Sequence, residues 1–185
     1  MGLFSSKDEK FQKAFTAAMD LYNQKKYNEA IVEFKKSLSI KDDSVEALYY
    51  LGSSHFRKQD RENAKFILEK AIKLEPQYIQ FFEKEGMELL NNGDYEEAKI
   101  VFEEGLLVSD STQLKRLYAN ALSITGELDK AIEIFNQLLN VVQDKKEIFL
   151  DLAFCYTEVA DKVKALDFFS KAHKLDPANT NILNN

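Results

Sequence analysis

The chain has no tryptophan, one cysteine, two prolines, two histidines and no excess of basic residues. The single cysteine, Cys155, excludes an internal disulfide framework and a cysteine-built zinc site, and it fits a reducing, cytoplasmic setting. His55 and His173 stand far apart in sequence with no ligand-type neighbour, so no metal site is expected. Twenty-five basic residues against 31 acidic ones give a formal net charge of −6. A phosphate backbone needs a basic surface, so no nucleic-acid partner is expected. The chain lacks any run of 18 apolar residues, and its start carries no apolar stretch of signal-peptide type; neither a membrane-spanning helix nor a secretion signal is expected. His-Glu-x-x-His, Gly-x-Gly-x-x-Gly and a Walker-type lysine loop are all missing. The acid pairs Glu96-Glu97 and Glu103-Glu104 are adjacent on predicted helices, where neighbours diverge by about 100°. They decorate a solvated face rather than sharing a proton. An enzyme is not expected, and no cofactor.

What is present is organised around Asn92-Gly93-Asp94-Tyr95-Glu96-Glu97-Ala98. It reads as the hinge of a helical hairpin. One apolar helix ends near Leu90. Gly93 tolerates the positive φ needed to leave it. Asp94 with Glu97 mimics a capping box for the next helix, and Ala98, Phe102 and Gly105 fall on one face of that helix.

The alanine recurs as Ala30, Ala64, Ala98, Ala131 and Ala165, at spacings of 34, 34, 33 and 34. Four residues later come Phe34, Leu68, Phe102, Phe135 and Phe169. Three further on stand Ser37, Ala71, Gly105, Leu138 and Ala172. Nine residues before each alanine lie Leu21, His55, Leu89, Leu122 and Tyr156. A helix-turn-helix unit of about 34 residues resembles the tetratricopeptide repeat, from about Phe11 to Asn179. The resemblance implies an all-α fold, a right-handed superhelical solenoid of five helix-turn-helix repeats, each buried on its neighbours. The units run about 11–44, 45–78, 79–111, 112–145 and 146–179, in one solenoid spanning 11–179. An N-terminal segment (1–10) and a tail (180–185) flank it.

Local signals refine the units. The turn Gln24-Lys25-Lys26 lacks glycine, so the first hinge is less well specified. Asp43-x-x-Glu46 and Asp144-x-x-Glu147 read as capping boxes, and Asp60 matches Asp94. Pro76 ends a helix. Val141-Val142-Gln143 replaces that proline in the fourth unit, so a different exit is expected there. His55 is expected as a packed, hydrogen-bonded core histidine, and Cys155 as a small buried hydrophobe. At the start, Gly2 with Ser6 fits a myristoylation pattern. The same stretch also fits a helix start, with Ser6 and Glu9 as a capping box and Phe4 folded back. A membrane partner is expected only if Gly2 is lipidated.

In such arrays the first helix of each repeat lines a concave groove that holds another protein. The resemblance places Phe15, Met19, Tyr22 and Asn23 there from the first unit. The second contributes Tyr49, Tyr50, Ser53, Phe56 and Arg57, and the third Glu83, Lys84, Met87 and Asn91. The fourth contributes Arg116, Asn120 and Ser123, and the fifth Leu150, Asp151, Phe154 and Thr157. The first half is aromatic and the second polar. Aromatic groups on an open face are typical binding anchors; packing between repeats is the alternative for each ring singly. The carboxylate clamp of repeats that grip heat-shock chaperones would need Lys, Asn, Asn, Lys and Arg. Here those places hold Phe15, Met19, Tyr50, Gln80 and Lys84, and only Lys84 fits. Arg116 and Asn120 are clamp-like, but Asp151 would repel a carboxylate.

Two functions follow. The first is a non-catalytic adaptor holding an extended or helical segment of another protein. The second is a self-assembling scaffold, membrane- or organelle-associated, that joins copies end to end. For the last helix, Phe168 and Phe169 diverge by about 100°. One phenylalanine is therefore expected to stay exposed and to pack on a second copy or another protein, with Ile182 and Leu183 as the rival cover.

Overall fold

The computed structural model describes residues 6–177, and these are helical hairpins throughout, with no strand among them. Ten α-helices follow in order: α1 Ser6–Asn23, α2 Tyr27–Ile40, α3 Val45–Arg57, α4 Arg61–Leu74, α5 Gln80–Asn92, α6 Tyr95–Leu106, α7 Thr112–Ile124, α8 Leu128–Leu138, α9 Lys146–Glu158 and α10 Lys162–Leu175. A 3-10 turn, Pro76–Ile79, precedes α5. Gly2, Phe4, Ile182 and Leu183 lie outside the described residues.

The residues form two compact units, Met1–Phe81 and Phe82–Asn185. In the first, α1 packs on α2, α2 on α3, and α3 on α4. Its centre holds Ala18, Ala30, Phe34 and Leu51, with Ile31 and Ile67 against them. In the second, α6 packs on α7, α7 on α8, α8 on α9, and α9 on α10. Gly86 on α5 sits so close to α6 that an added Cβ would lie 2.2 Å from Phe102 Cε1. The core there joins Ala119, Leu122, Ala131, Phe135, Ile148, Leu152 and Cys155.

The recurring alanines explain the hairpins. All five are buried, and so are Phe34, Leu68, Phe102, Phe135 and Phe169 four residues on. A small residue lets the paired helix approach, and the large one fills the gap. Each hairpin turns through one residue with positive φ: Lys25, Gln59, Gly93, Gly126 and Ala160. The next amide reaches back to the carbonyl nine residues before the alanine: Lys26 to Leu21, Asp60 to His55, Asp94 to Leu89, Glu127 to Leu122 and Asp161 to Tyr156, at 2.8 to 3.0 Å. This is the six-to-one hydrogen bond of a Schellman motif. The glycine-free first turn therefore adopts the same geometry as the third.

Asp144 accepts from the Lys146 amide at 3.1 Å, but Asp43, Asp60 and Asp94 do not cap the helices they precede. Asp94 makes no side-chain cap bond to α6. Asp60 does not cap α4; its carboxylate is taken by Asn63 Nδ2 and by His55 Nδ1, at 2.8 Å from the latter. For α3 the cap is Ser44, one residue after Asp43, accepting from the Ala47 amide. After a Schellman turn the chain is already aimed into the next helix, so a side-chain cap is dispensable. Asp161 does cap, accepting from the Lys164 amide at 3.1 Å.

His55 is buried beside Asp60 and Cys155 is buried, its thiol 3.4 Å from Ser123 Oγ. Burial pushes the Cys155 thiol up, which keeps it protonated. Pro76 follows the end of α4 as expected. Where the proline is replaced, residues 139–145 separate α8 from α9, the longest such link in the second unit. Its Val142 packs back on the core. Among the described residues no helix is long and apolar enough to cross a membrane.

Candidate functional site

In the first unit the expected aromatic residues converge. The Tyr50 ring is the hub: its centroid lies 5.1 Å from Tyr49, 5.3 Å from Tyr22, 6.5 Å from Phe15 and 6.0 Å from Phe34, the last stacked at 9°. Tyr49 continues the row to Tyr78 at 4.9 Å and Phe81 at 5.8 Å. Such offset and edge contacts add to area burial and hold the rings in place. The Tyr22 hydroxyl and Ser53 Oγ share a 2.7 Å hydrogen bond that ties α1 to α3. Phe15, Met19, Tyr22, Tyr49 and Tyr50 all remain half-buried, so each keeps part of its surface accessible. Burial, then the nearby Glu46 charge, raises the Tyr50 phenol, and burial, then Glu75, raises that of Tyr78. Both stay neutral.

Phe56 is placed differently. It is 7% exposed, T-shaped against Phe81 at 5.0 Å, with the Arg61 guanidinium 3.9 Å from its centroid. It is a packing residue of the hairpin. Ser53 is also buried, while Arg57 and Asn23 are exposed. Tyr78 and Phe81 belong to the same row, although the repeat spacing does not point to them. They come from the 3-10 turn and the first residues of α5, ahead of the expected groove positions.

In the second unit the expected residues stay apart from any aromatic row. Lys84 and Met87 are exposed on α5. Glu83 accepts from Ser111 Oγ at 3.2 Å. Arg116 on α7 is committed to acids of α9: its Nε lies 2.6 Å from Asp151 Oδ2, and an Nη lies 3.3 Å from Glu147. Burial pushes the Asp151 carboxyl up, and the bonded guanidinium draws it part of the way back. Engaged in this way, Arg116 is not available to grip an incoming carboxylate. Asn120 is half-buried, and Phe154 is exposed with its ring edge-on to Phe169 at 5.5 Å. Among the described residues no group of three or more His, Cys, Asp and Glu side chains is placed to hold a metal ion.

The expected exposed phenylalanine is not there. Phe169 is buried, and Phe168 stacks on Tyr156 at 5.6 Å and lies 6.0 Å from Phe149. The exposed apolar residues of α10 are Val163, Leu166 and Leu175. Tyr156 comes from the neighbouring helix α9, and such a partner is invisible on a single-helix wheel.

Known proteins resemble this chain in sequence and in fold. A family model described as TPR repeat matches residues 20–59, and two described as Tetratricopeptide repeat match 45–78 and 79–111. A TPR repeat-containing protein of Methanocaldococcus jannaschii is 28% identical over 130 residues, covering 68% of this chain and 22% of that protein. The chain thus spans under a quarter of that relative's length. Among solved structures, YrrB, described as a TPR protein with an unusual peptide-binding site, superposes with a TM-score of 0.60 at 18% identity, over 97% of each chain. MamA from Desulfovibrio magneticus RS-1 gives 0.54 at 19% identity, over 96% of this chain and 99% of that one. These likenesses carry the fold. The chain belongs to the tetratricopeptide-repeat family, an all-α solenoid class whose members serve as protein-interaction and scaffold modules and are typically non-catalytic.

Proposed function

We propose that this protein is a non-catalytic adaptor that holds a peptide or helical segment of a partner protein against the first-helix face of its first unit. The observation that carries the reading is the half-buried row of Phe15, Tyr22, Tyr49 and Tyr50, interlocked yet each still partly exposed. Rigid aromatic rings offer large contact area and lose little conformational freedom on binding, as is typical of hot spots. The described peptide-binding site of YrrB supports the same use of this fold. Met19 and Arg57 belong to the same proposed face of the first unit, whereas Lys84, Met87, Arg116, Asn120 and Phe154 lie on the second unit.

The test is affinity capture of partners by the full chain, identified by mass spectrometry, in parallel with Tyr49→Ala. Tyr49 is the residue to change, because Tyr50 also stacks on the core ring Phe34 and its loss would disturb packing. Tyr49→Ala should leave helicity near wild type and weaken partner binding by about 2 kcal/mol. Unchanged binding by the folded variant would refute the role of this face.

A further inference from the structure

The residue immediately after each recurring alanine is Ile31, Lys65, Lys99, Ile132 or Leu166. The first four are half-buried. Ile31 packs on the cluster that includes Leu51 of α3, and Ile132 on the one that includes Ile148 and Leu152 of α9. Lys99 Nζ reaches Glu127, in the turn of the following hairpin, at 2.7 Å. For Lys99 the next hairpin supplies the contact, and for Ile31 and Ile132 it supplies part of the cluster. On α10 the equivalent Leu166 is 74% exposed, and Val163, three residues before it, is 82% exposed. The other hairpins carry Asn28, Glu62, Glu96 and Asp129 where α10 has Val163. This position is exposed in all five hairpins, and α10 is the one that places an apolar residue there.

The flanking charge selects what fits. Lys164 is paired with Asp161 at 3.1 Å, and Lys171 with Asp167 at 2.5 Å. Lys162 and Lys174 have no carboxylate partner among the described residues. At about 100° and about 1.5 Å per residue, these two lysines bracket the Val163 and Leu166 stripe within about 120° of helix surface, about 18 Å apart. Antiparallel packing of α10 on a second copy would set these lysines against each other when centred on the helix midpoint, and would leave Lys174 beyond the second α10 when centred on the Val163 and Leu166 stripe. Residues 178–185 carry no acidic side chain. We propose that this face of α10 docks an amphipathic helix of another protein, one with an apolar stripe and carboxylates near both ends.

Two synthetic helical peptides of about eighteen residues test it. They share one leucine stripe at i, i+4 and i+7 and differ in flanking glutamates or lysines. Binding to the full chain is read by fluorescence anisotropy. The glutamate peptide should bind about tenfold tighter than the lysine peptide. Val163→Asp with Leu166→Asp should weaken it by about tenfold or more, with an unchanged helical spectrum because both positions are exposed. Lys162→Glu with Lys174→Glu should reverse the preference. Equal binding of the two peptides, no binding of either, or glutamate-peptide binding that survives the double aspartate change would each overturn the proposal. A wild-type dimer that Leu166→Asp dissolves would assign the face to a second copy. Stronger peptide binding after deletion of residues 178–185 would assign it to the chain's own terminus. Either result overturns the proposal too.

Discussion

Arg116 on α7 and Asp151 on α9 form one bonded unit, Nε to Oδ2 at 2.6 Å with a second contact to Oδ1 at 3.3 Å. Their side chains are 25% and 13% exposed, so each depends on the other for solvation. Arg116→Ala would leave the Asp151 carboxylate with its burial uncompensated, at a cost of about 1–3 kcal/mol. Asp151→Asn should cost less, because Glu147 still faces the guanidinium. Urea unfolding of both single variants and the double variant should give a coupling of about 0.5–3 kcal/mol. Strict additivity would show that the pair is incidental.

The five hairpin turns place a left-handed residue at Lys25, Gln59, Gly93, Gly126 and Ala160. A side chain in that region costs about 1–2 kcal/mol, and glycine loses about 0.5–1 kcal/mol of its freedom on folding. Lys25→Gly, Gln59→Gly and Ala160→Gly should therefore each stabilise the chain by about 0.5–1 kcal/mol. Gly93→Ala and Gly126→Ala should destabilise it although nothing lies within 4 Å of the added carbon. Calorimetric Tm values for the five variants decide the matter. Stabilisation by both alanines would show that the turns relax out of this geometry.

Glycine at position 86 serves a different purpose. A Cβ there would stand 2.2 Å from Phe102 Cε1, and at Gly52 it would stand 2.6 Å from Leu68 Cγ. Phe102 is fully buried and its ring is stiff, whereas Leu68 can change rotamer. Gly86→Ala should cost about 1–3 kcal/mol by overpacking and Gly52→Ala less. Gly86→Ala with Phe102→Leu should recover part of the loss. Equal stability of Gly86→Ala and wild type would mean that α5 and α6 separate easily.

Much of this architecture is legible in the chain because it repeats. Five copies of one spacing average out local ambiguity, and Ala30, Phe34 and their equivalents are buried as the pattern demands. What a pattern of spacings does not reveal is which partner a polar side chain chooses. Asp60 matched Asp94 by register, but Asn63 and His55 outcompete the helix amides for its carboxylate. Phe56 fitted the groove by position, but Phe81 and Arg61 enclose it. The aromatic row was legible as a set, while Tyr78 and Phe81 escaped because they precede the expected positions of the third unit. On α10, Phe168 finds a stacking surface in Tyr156 of the neighbouring helix, whereas Leu166 is exposed.

Glu127 gives the second unit a definite acid dependence. Its carboxylate bonds Lys130 at 2.6 Å and Lys99 at 2.7 Å, and these ammonium groups, Lys130 first, push it from an ordinary 4.5 down to about 2. A carboxyl held below its unfolded value stabilises the fold at pH values above that unfolded value. The contribution fades as pH falls from about 4.5 towards about 2, where both states are protonated. Glu127→Gln removes the carboxylate but keeps the shape. The urea midpoints of wild type and Glu127→Gln should differ by a constant amount above pH about 5 and converge as pH falls towards about 2. Lys99→Met should narrow the wild-type dependence, because one of the two ammonium groups is gone. A gap between wild type and Glu127→Gln that stays flat across this window would show that solvent screens the carboxylate from both lysines.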